Sequence, residues 1–308
     1  MARVALLFAG QGAQYPGMGR ELYETSPAAR AVFDRAEAER PGLMELCFRG
    51  EAAELTETVN AQPGLFCVGL AAAEAAREAG IEAEMAAGFS LGELPALVFA
   101  GALSFADGFR LVCLRGELMQ TAAASGQPSS MLAVLRLPAP QVDDICRRHA
   151  GVYPANYNCP GQTAVSGHTA ALPAFSADVK AAGGRTAPLA VSAGFHSPIM
   201  TPAADAFRAA FAAITFSPPL IPVYANRTAA PYGAEERDCL SSQIDHPVRW
   251  EESIRNMLAA GADTFIEVGP GKTLSGFLRK INPGVQALNI QDGKSLARVK
   301  EEFAQANS

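Results

Sequence analysis

The 308-residue chain is poor in charge, has only four histidines, and has no apolar run of membrane-spanning length. Charged residues make up 18% against 49% hydrophobic ones, which suits a globular protein with a sizeable core and excludes a disordered chain. The formal net charge of −6 argues against a general affinity for nucleic acid or for an anionic membrane, while leaving room for a local basic patch. A transmembrane helix would need about 18 or more consecutive uncharged apolar residues, and none are found. Cys47, Cys67, Cys113, Cys146, Cys159 and Cys239 are scattered, with no Cys-x-x-Cys and no metal-ligand spacing. Four of them sit in apolar surroundings and read as buried reduced thiols, so no metal is expected and a cytoplasmic location is. The opening segment Met1–Phe8 meets Gly10 too soon for a signal peptide and reads as a first buried strand. No internal repeat is visible.

What the chain does have is Gly88-Phe89-Ser90-Leu91-Gly92, preceded by the apolar run Met85-Ala86-Ala87 and followed by the helical pattern Glu93–Ala100. Strand, Gly-x-Ser-x-Gly and helix together make a nucleophile elbow, in which glycines permit a sharp turn and the serine hydroxyl stands at the strand tip. The N–H groups of the following helix start are open to an oxyanion. The ordinary alternative is a tight strand-to-helix turn with a buried serine cap.

Alternation of strands and helices around the elbow predicts a parallel sheet covered by helices. A strand is expected at Val4–Phe8 and helices over roughly 26–40, 64–79 and 104–124. After Ser125-Gly126-Gln127-Pro128-Ser129-Ser130 the pattern changes. Strands at Met131–Leu137, Val152–Tyr157, Thr163–Ser166 and Thr186–Val191 enclose helices at Pro140–His149 and Ala170–Ala182. That βαββαβ order predicts an inserted ferredoxin-like subdomain over 127–193, with 1–126 and 194–308 forming an α/β-hydrolase-like core. The alternation resumes with strands at Ile221–Ala225 and Thr264–Val268 and helices at Trp250–Ala260 and Leu274–Ile281.

A nucleophilic serine needs a base. His149 ends a charged helix, His168 follows a turn in the insert, and His246 lies in a turn-like Asp-His-Pro. His196, in Gly194-Phe195-His196-Ser197-Pro198 at the joint of insert and core, is the candidate, because clefts between domains are where ligands bind. The oxyanion needs two donors: one is the N–H of Leu91, and the turn Gly10-Gln11-Gly12 suits the second. Arg115 sits among apolar residues on a helix, where an unpaired guanidinium is costly, so it needs an anion. That anion is either a structural carboxylate such as Glu117 or Asp107, or a substrate carboxylate held with about 1.5–3 kcal/mol.

These residues resemble the malonyl-CoA:acyl carrier protein transacylases and the related acyltransferases of polyketide synthesis. The likeness spans about residues 4–290 and rests on separated motifs in order. They are Phe8–Gln14, Gln62-Pro63, the elbow with Leu97–Phe105, Leu114-Arg115-Gly116, Asn156–Gln162, Gly194–Pro198, His246–Trp250 and Glu267–Gly271. The resemblance implies that Ser90 carries the acyl group and that His196 acts as base and then acid. A backbone carbonyl from the motif holding Gln243 would orient the histidine, and the amides of Gln11 and Leu91 would form the oxyanion hole. Arg115 would bind the malonyl carboxylate, with Gln62, Asn158 and Gln243 also in motifs that line the family's site. Gly-Phe-His-Ser and Leu91 resemble the malonyl-selective members. No metal or redox cofactor is implied: coenzyme A enters as a substrate thioester, and the acceptor is the phosphopantetheine thiol of a carrier protein. A monomer is expected.

Two positions depart from the family's pattern. Phe89 stands where His is usual, which puts the pocket wall and the acyl preference in question. Pro95 lies early in the nucleophile helix, where its missing N–H leaves a carbonyl near Ser90 without a helical partner. The residues alone also allow a serine esterase or thioesterase, for which Asp107, Asp143, Asp144 or Asp178 could complete a triad. Other readings are an acyltransferase for another acyl unit, and a carrier-docking protein without activity, against which stands the presence of Ser90, His196 and Arg115 together. Carrier proteins are acidic, so docking calls for a basic patch, with Lys180, Arg185, Lys272, Arg279 and Lys280 as candidates.

Overall fold

The structure, a computed structural model, describes residues 2–233 and 237–306. Met1, 234–236 and 307–308, which fall within the segments assigned above to the core, lie outside the described residues. Five parallel strands form the main sheet: β1 (Val4–Phe8), β2 (Met85–Gly88), β7 (Val223–Tyr224), β8 (Thr264–Val268) and β9 (Gln286–Ile290), in the order β7-β2-β1-β8-β9. Side chains alternate between the sheet's two faces, and both faces are buried. Val4, Leu6 and Phe8 of β1 join one core with the Thr58–Glu78 and Phe105–Ser125 helices, while Ala5 and Leu7 join another with the Trp250–Ala259 and Thr273–Ile281 helices. This burial explains why β1 reads as a continuous apolar run: a parallel strand covered on both sides has no polar face.

The second sheet is antiparallel and comprises β3 (Ser129–Leu135), β4 (Val152–Cys159), β5 (Gln162–His168) and β6 (Arg185–Pro188), in the order β4-β5-β3-β6. Helices Ala139–Arg147 and Leu172–Ala181 cover one face, and Val134, Val165, Ile145, Phe175 and Val179 fill a third core between them. The other face turns toward the main sheet's C-terminal edge.

Several boundaries differ from the sequence reading. The helix expected from 64 begins at Thr58, with Pro63 inside it. The carbonyl that Pro63 cannot serve, that of Val59, accepts instead from Arg40 Nη1 at 2.8 Å. The strand expected over 221–225 shrinks to Val223–Tyr224, and the one expected over 186–191 ends at Pro188. Strand β9 and the helices Thr201–Phe211 and Gly293–Ala306 were not anticipated.

Candidate active site

Ser90 sits two residues past the end of β2 and before the helix Glu93–Phe99, with φ 55°, a left-handed backbone that L-residues rarely adopt. The flanking glycines are fixed by contact. A Cβ on Gly88 would lie 1.9 Å from the Gly92 carbonyl carbon, and one on Gly92 would lie 2.4 Å from the Phe8 oxygen. The turn is therefore pressed against itself and against the end of β1. Asn226, just beyond β7, holds it from the other side, accepting from Ser90 N at 2.8 Å and donating to Gly88 O at 2.6 Å.

His196 also has a left-handed backbone, φ 56°, and is buried. Its Nε2 lies 2.7 Å from Ser90 Oγ and its Nδ1 lies 3.0 Å from the Gln243 carbonyl oxygen. A carbonyl can only accept, so Nδ1 carries the proton and Nε2 is left to take one from serine. Burial, and next the nearby Arg115 cation, push the imidazole down to about 4, which leaves it neutral at physiological pH. None of the four candidate aspartates reaches it. Asp107 is bound by Ser104, Asp143 by Tyr157, Asp144 by Arg147 and Asp178 by His149.

Arg115 is 2% exposed and approaches Ser90 from behind the cleft wall. Nη2 donates to Ser90 Oγ at 3.1 Å and to Gln243 Oε1 at 2.8 Å, and Nη1 donates to Gln62 Oε1 at 2.9 Å. The structural salt bridge to Glu117 or Asp107 is not made: Asp107 faces Arg110 instead. Burial lowers the guanidinium to about 10, with Glu93 opposing that shift.

The cleft, about 300 Å³, lies between the two sheets at the C-terminal ends of β1, β2 and β8. Gln11, Ser90, Asn158 and His196 line it, with Phe89, Met131 and Phe277 among the apolar walls. Gln62, Leu91, Arg115 and Gln243 lie behind that lining. The N–H groups of Gln11 and Leu91 have no protein partner among the described residues. Asn158 Oδ1 is likewise buried and unpartnered. Phe89 packs edge-on against Trp250 with ring centroids 5.3 Å apart. The carbonyls left by Pro95 are served: Leu91 O accepts from Glu93 N, and Ser90 O accepts from Gln243 Nε2 at 2.8 Å. The elbow therefore needs no shift to accommodate the proline.

Sequence reasoning missed Asn226 and Glu93. Glu93 offered a signal, a lone carboxylate on an otherwise apolar helix, while Asn226 offered none beyond following a short strand. The described residues contain no cluster of three or more His, Cys, Asp or Glu that could hold a metal, and no helix long and apolar enough to cross a membrane.

Comparison with known proteins identifies the family. Residues 5–305 match the acyl transferase domain family. The malonyl CoA-acyl carrier protein transacylase of Bacillus subtilis is 40% identical, covering 100% of this chain and 99% of its own. That of Escherichia coli K12 is 37% identical over 98% of this chain and 100% of its own. Among solved structures, the malonyl CoA-acyl carrier protein transacylase of Clostridium perfringens superposes with TM-score 0.95 at 38% identity, covering 99% of this chain and 98% of that one. A malonyl-transacylase in complex with its type II PKS acyl-carrier protein superposes with TM-score 0.93 at 34% identity, covering 98% and 100%. With Ser90 and His196 meeting in the cleft, Arg115 reaching Ser90 from behind it, and relatives matching end to end, the chain belongs to the acyl transferase domain family, among the malonyl CoA-acyl carrier protein transacylases.

Proposed function

We propose that the protein transfers malonyl from malonyl-CoA to the phosphopantetheine thiol of an acyl carrier protein, through an ester on Ser90. The observation that carries this reading is the placement of Ser90 Oγ between a neutral His196 Nε2 at 2.7 Å and the Arg115 guanidinium at 3.1 Å. In the first half-reaction Ser90 Oγ attacks the thioester carbon and its proton passes to Nε2. The carbonyl oxygen becomes an oxyanion facing the N–H groups of Gln11 and Leu91, donors of a kind worth about 100- to 1,000-fold in rate each. Collapse expels the coenzyme A thiolate, which takes the proton from His196. The second half-reaction reverses these steps with the carrier thiol as nucleophile.

Arg115 is the group we assign to the malonyl carboxylate. Acylation turns Ser90 Oγ into an ester oxygen, a poorer acceptor, which releases an Nη2 proton for that carboxylate. Gln62 and Gln243 hold the guanidinium from behind, and Asn158, with its unpartnered Oδ1, faces the substrate. Thioester exchange through serine calls for no metal or redox cofactor. The strand order β4-β5-β3-β6 supports a ferredoxin-like subdomain over 127–193, set on an α/β-hydrolase-like core formed by 1–126 and 194–308. At the cleft mouth Lys280 reaches Gln162, and Lys272 is adjacent to Thr273, so exposed cations stand where an acidic carrier would dock. Lys180, Arg185 and Arg279 are exposed as well and extend the candidate set. Cys47, Cys67, Cys113, Cys146 and Cys159 are free thiols, which favours a reducing cytoplasm, and we take the working unit to be a monomer.

Intact-mass measurement after brief exposure to malonyl-CoA and to acetyl-CoA tests this reading. A malonyl adduct is expected that is lost in Ser90→Ala and is passed to a carrier protein. In Arg115→Ala the malonyl adduct should fall at least tenfold while the acetyl adduct is spared. Release of free malonate without transfer would establish a hydrolase instead.

A further inference from the structure

One buried carboxylate at the elbow has no part in the steps above. Glu93 is 1% exposed, lies three residues after the nucleophile, and touches neither substrate space nor Ser90 Oγ. Its carboxylate nevertheless accepts three hydrogen bonds from residues that build the site. Oε1 takes Asn226 N at 2.9 Å and the Tyr232 hydroxyl at 2.7 Å, and Oε2 takes Gln243 Nε2 in a short contact. Both Asn226 and Gln243 hold the elbow: Asn226 through Ser90 N and Gly88 O, Gln243 through Ser90 O.

The carboxylate also decides which way round the Gln243 amide sits. A carboxylate only accepts, so it selects the NH2 end of Gln243 and turns the carbonyl end toward Arg115. Above about pH 7, where Glu93 gives up its proton, the buried guanidinium thus meets a negative charge one amide away, close enough for the two to influence each other's ionisation. With the amide reversed, an NH2 group would face the guanidinium, and Ser90 O would lose its side-chain donor and keep only the Glu93 backbone N–H. We propose that Glu93 is a positioning residue for acyl-unit selection: through the Gln243 amide it fixes the Arg115 guanidinium beneath Ser90, ready for a substrate carboxylate. The inference rests on the malonyl-transfer reading and deepens it.

Glu93→Gln is the discriminating variant. An amide has one oxygen where the carboxylate has two, so it cannot accept from Asn226, Tyr232 and Gln243 together. Rates of Ser90 acylation by malonyl-CoA and by acetyl-CoA are compared in the wild type and the variant, alongside thermal unfolding. We expect kcat/KM for malonyl-CoA to fall at least tenfold more than for acetyl-CoA, chiefly through KM. Equal losses on the two thioesters would mark Glu93 as merely structural and overturn the proposal, as would retained malonyl preference. A wild type that prefers acetyl-CoA would overturn the malonyl reading itself and the proposal with it. Should Glu93→Gln fail to fold, the exchange variant Glu93→Gln/Gln243→Glu restores one carboxylate and one amide in the same two places. It puts the negative charge in contact with Arg115, where it competes with malonyl, so the malonyl-CoA KM should rise at least tenfold with acetyl-CoA little changed. An equal rise for both thioesters would again overturn the proposal.

Discussion

His196 and Arg115 constrain each other. The imidazole is pushed down to about 4 first by burial and second by the guanidinium beside it. Removing the cation should release the second part of that shift. An NMR titration of the His196 ring is therefore expected to show a midpoint near 4 in the free enzyme, moving upward toward the ordinary 6.5 in Arg115→Gln. An unmoved midpoint would mean that burial alone sets the value. At this scale the sequence was informative where a residue type carries its own chemistry. A serine between two glycines and an arginine amid apolar neighbours both stand out, and both converge on the cleft. Glu93 and Asn226 act through other residues, and nothing in a one-dimensional pattern shows that Glu93's partners lie 133 to 150 positions away.

The elbow is the element on which the site depends, and its tolerance is narrow. A methyl at position 92 would meet the Phe8 carbonyl at 2.4 Å, backbone against backbone, with no flexible side chain to yield. Gly92→Ala should therefore destabilise the fold by about 1–3 kcal/mol, the usual cost of overpacking, with a larger loss of acylation because Ser90 moves with the turn. Denaturant unfolding combined with acylation rates checks both. Elements with strong period or punctuation were legible: β1 and β8 match their expected bounds residue for residue. The Thr58–Glu78 helix begins before Pro63, an earlier start than the sequence pattern showed, and distant side chains serve its first turn: Arg40 donates to Val59 O and Gln120 accepts from Val59 N. Strand β7 falls to two residues because the chain soon turns to bring Asn226 to the elbow.

For the whole molecule, the buried ionisable groups give opposing pH dependences. Glu93 is pushed up to about 7 from an ordinary 4.5, mainly by burial. Between those values the folded chain holds a proton that the unfolded chain has lost, so this group's contribution to stability falls as pH rises through the window. His196 is shifted from 6.5 down to about 4, so the unfolded chain binds its proton first and stability is lost as pH falls through that window. The two slopes oppose one another between 4.5 and 6.5. Thermal unfolding of Glu93→Gln across that range should accordingly lose stability on acidification more steeply than the wild type. Parallel curves would show that Glu93 is already ionised in the folded protein. The two-sheet arrangement was legible from the change in strand and helix rhythm near residue 127, but the closeness of the sheets was not, because it depends on small side chains such as Ala133 and Ala164 facing the cleft. The chain's single tryptophan, Trp250, lies edge-on to Phe89, the residue immediately before the nucleophile, with its indole N–H unpartnered in an apolar setting. The protein thus carries a native optical label at its elbow, one whose emission reports on the acylating turn without any dye.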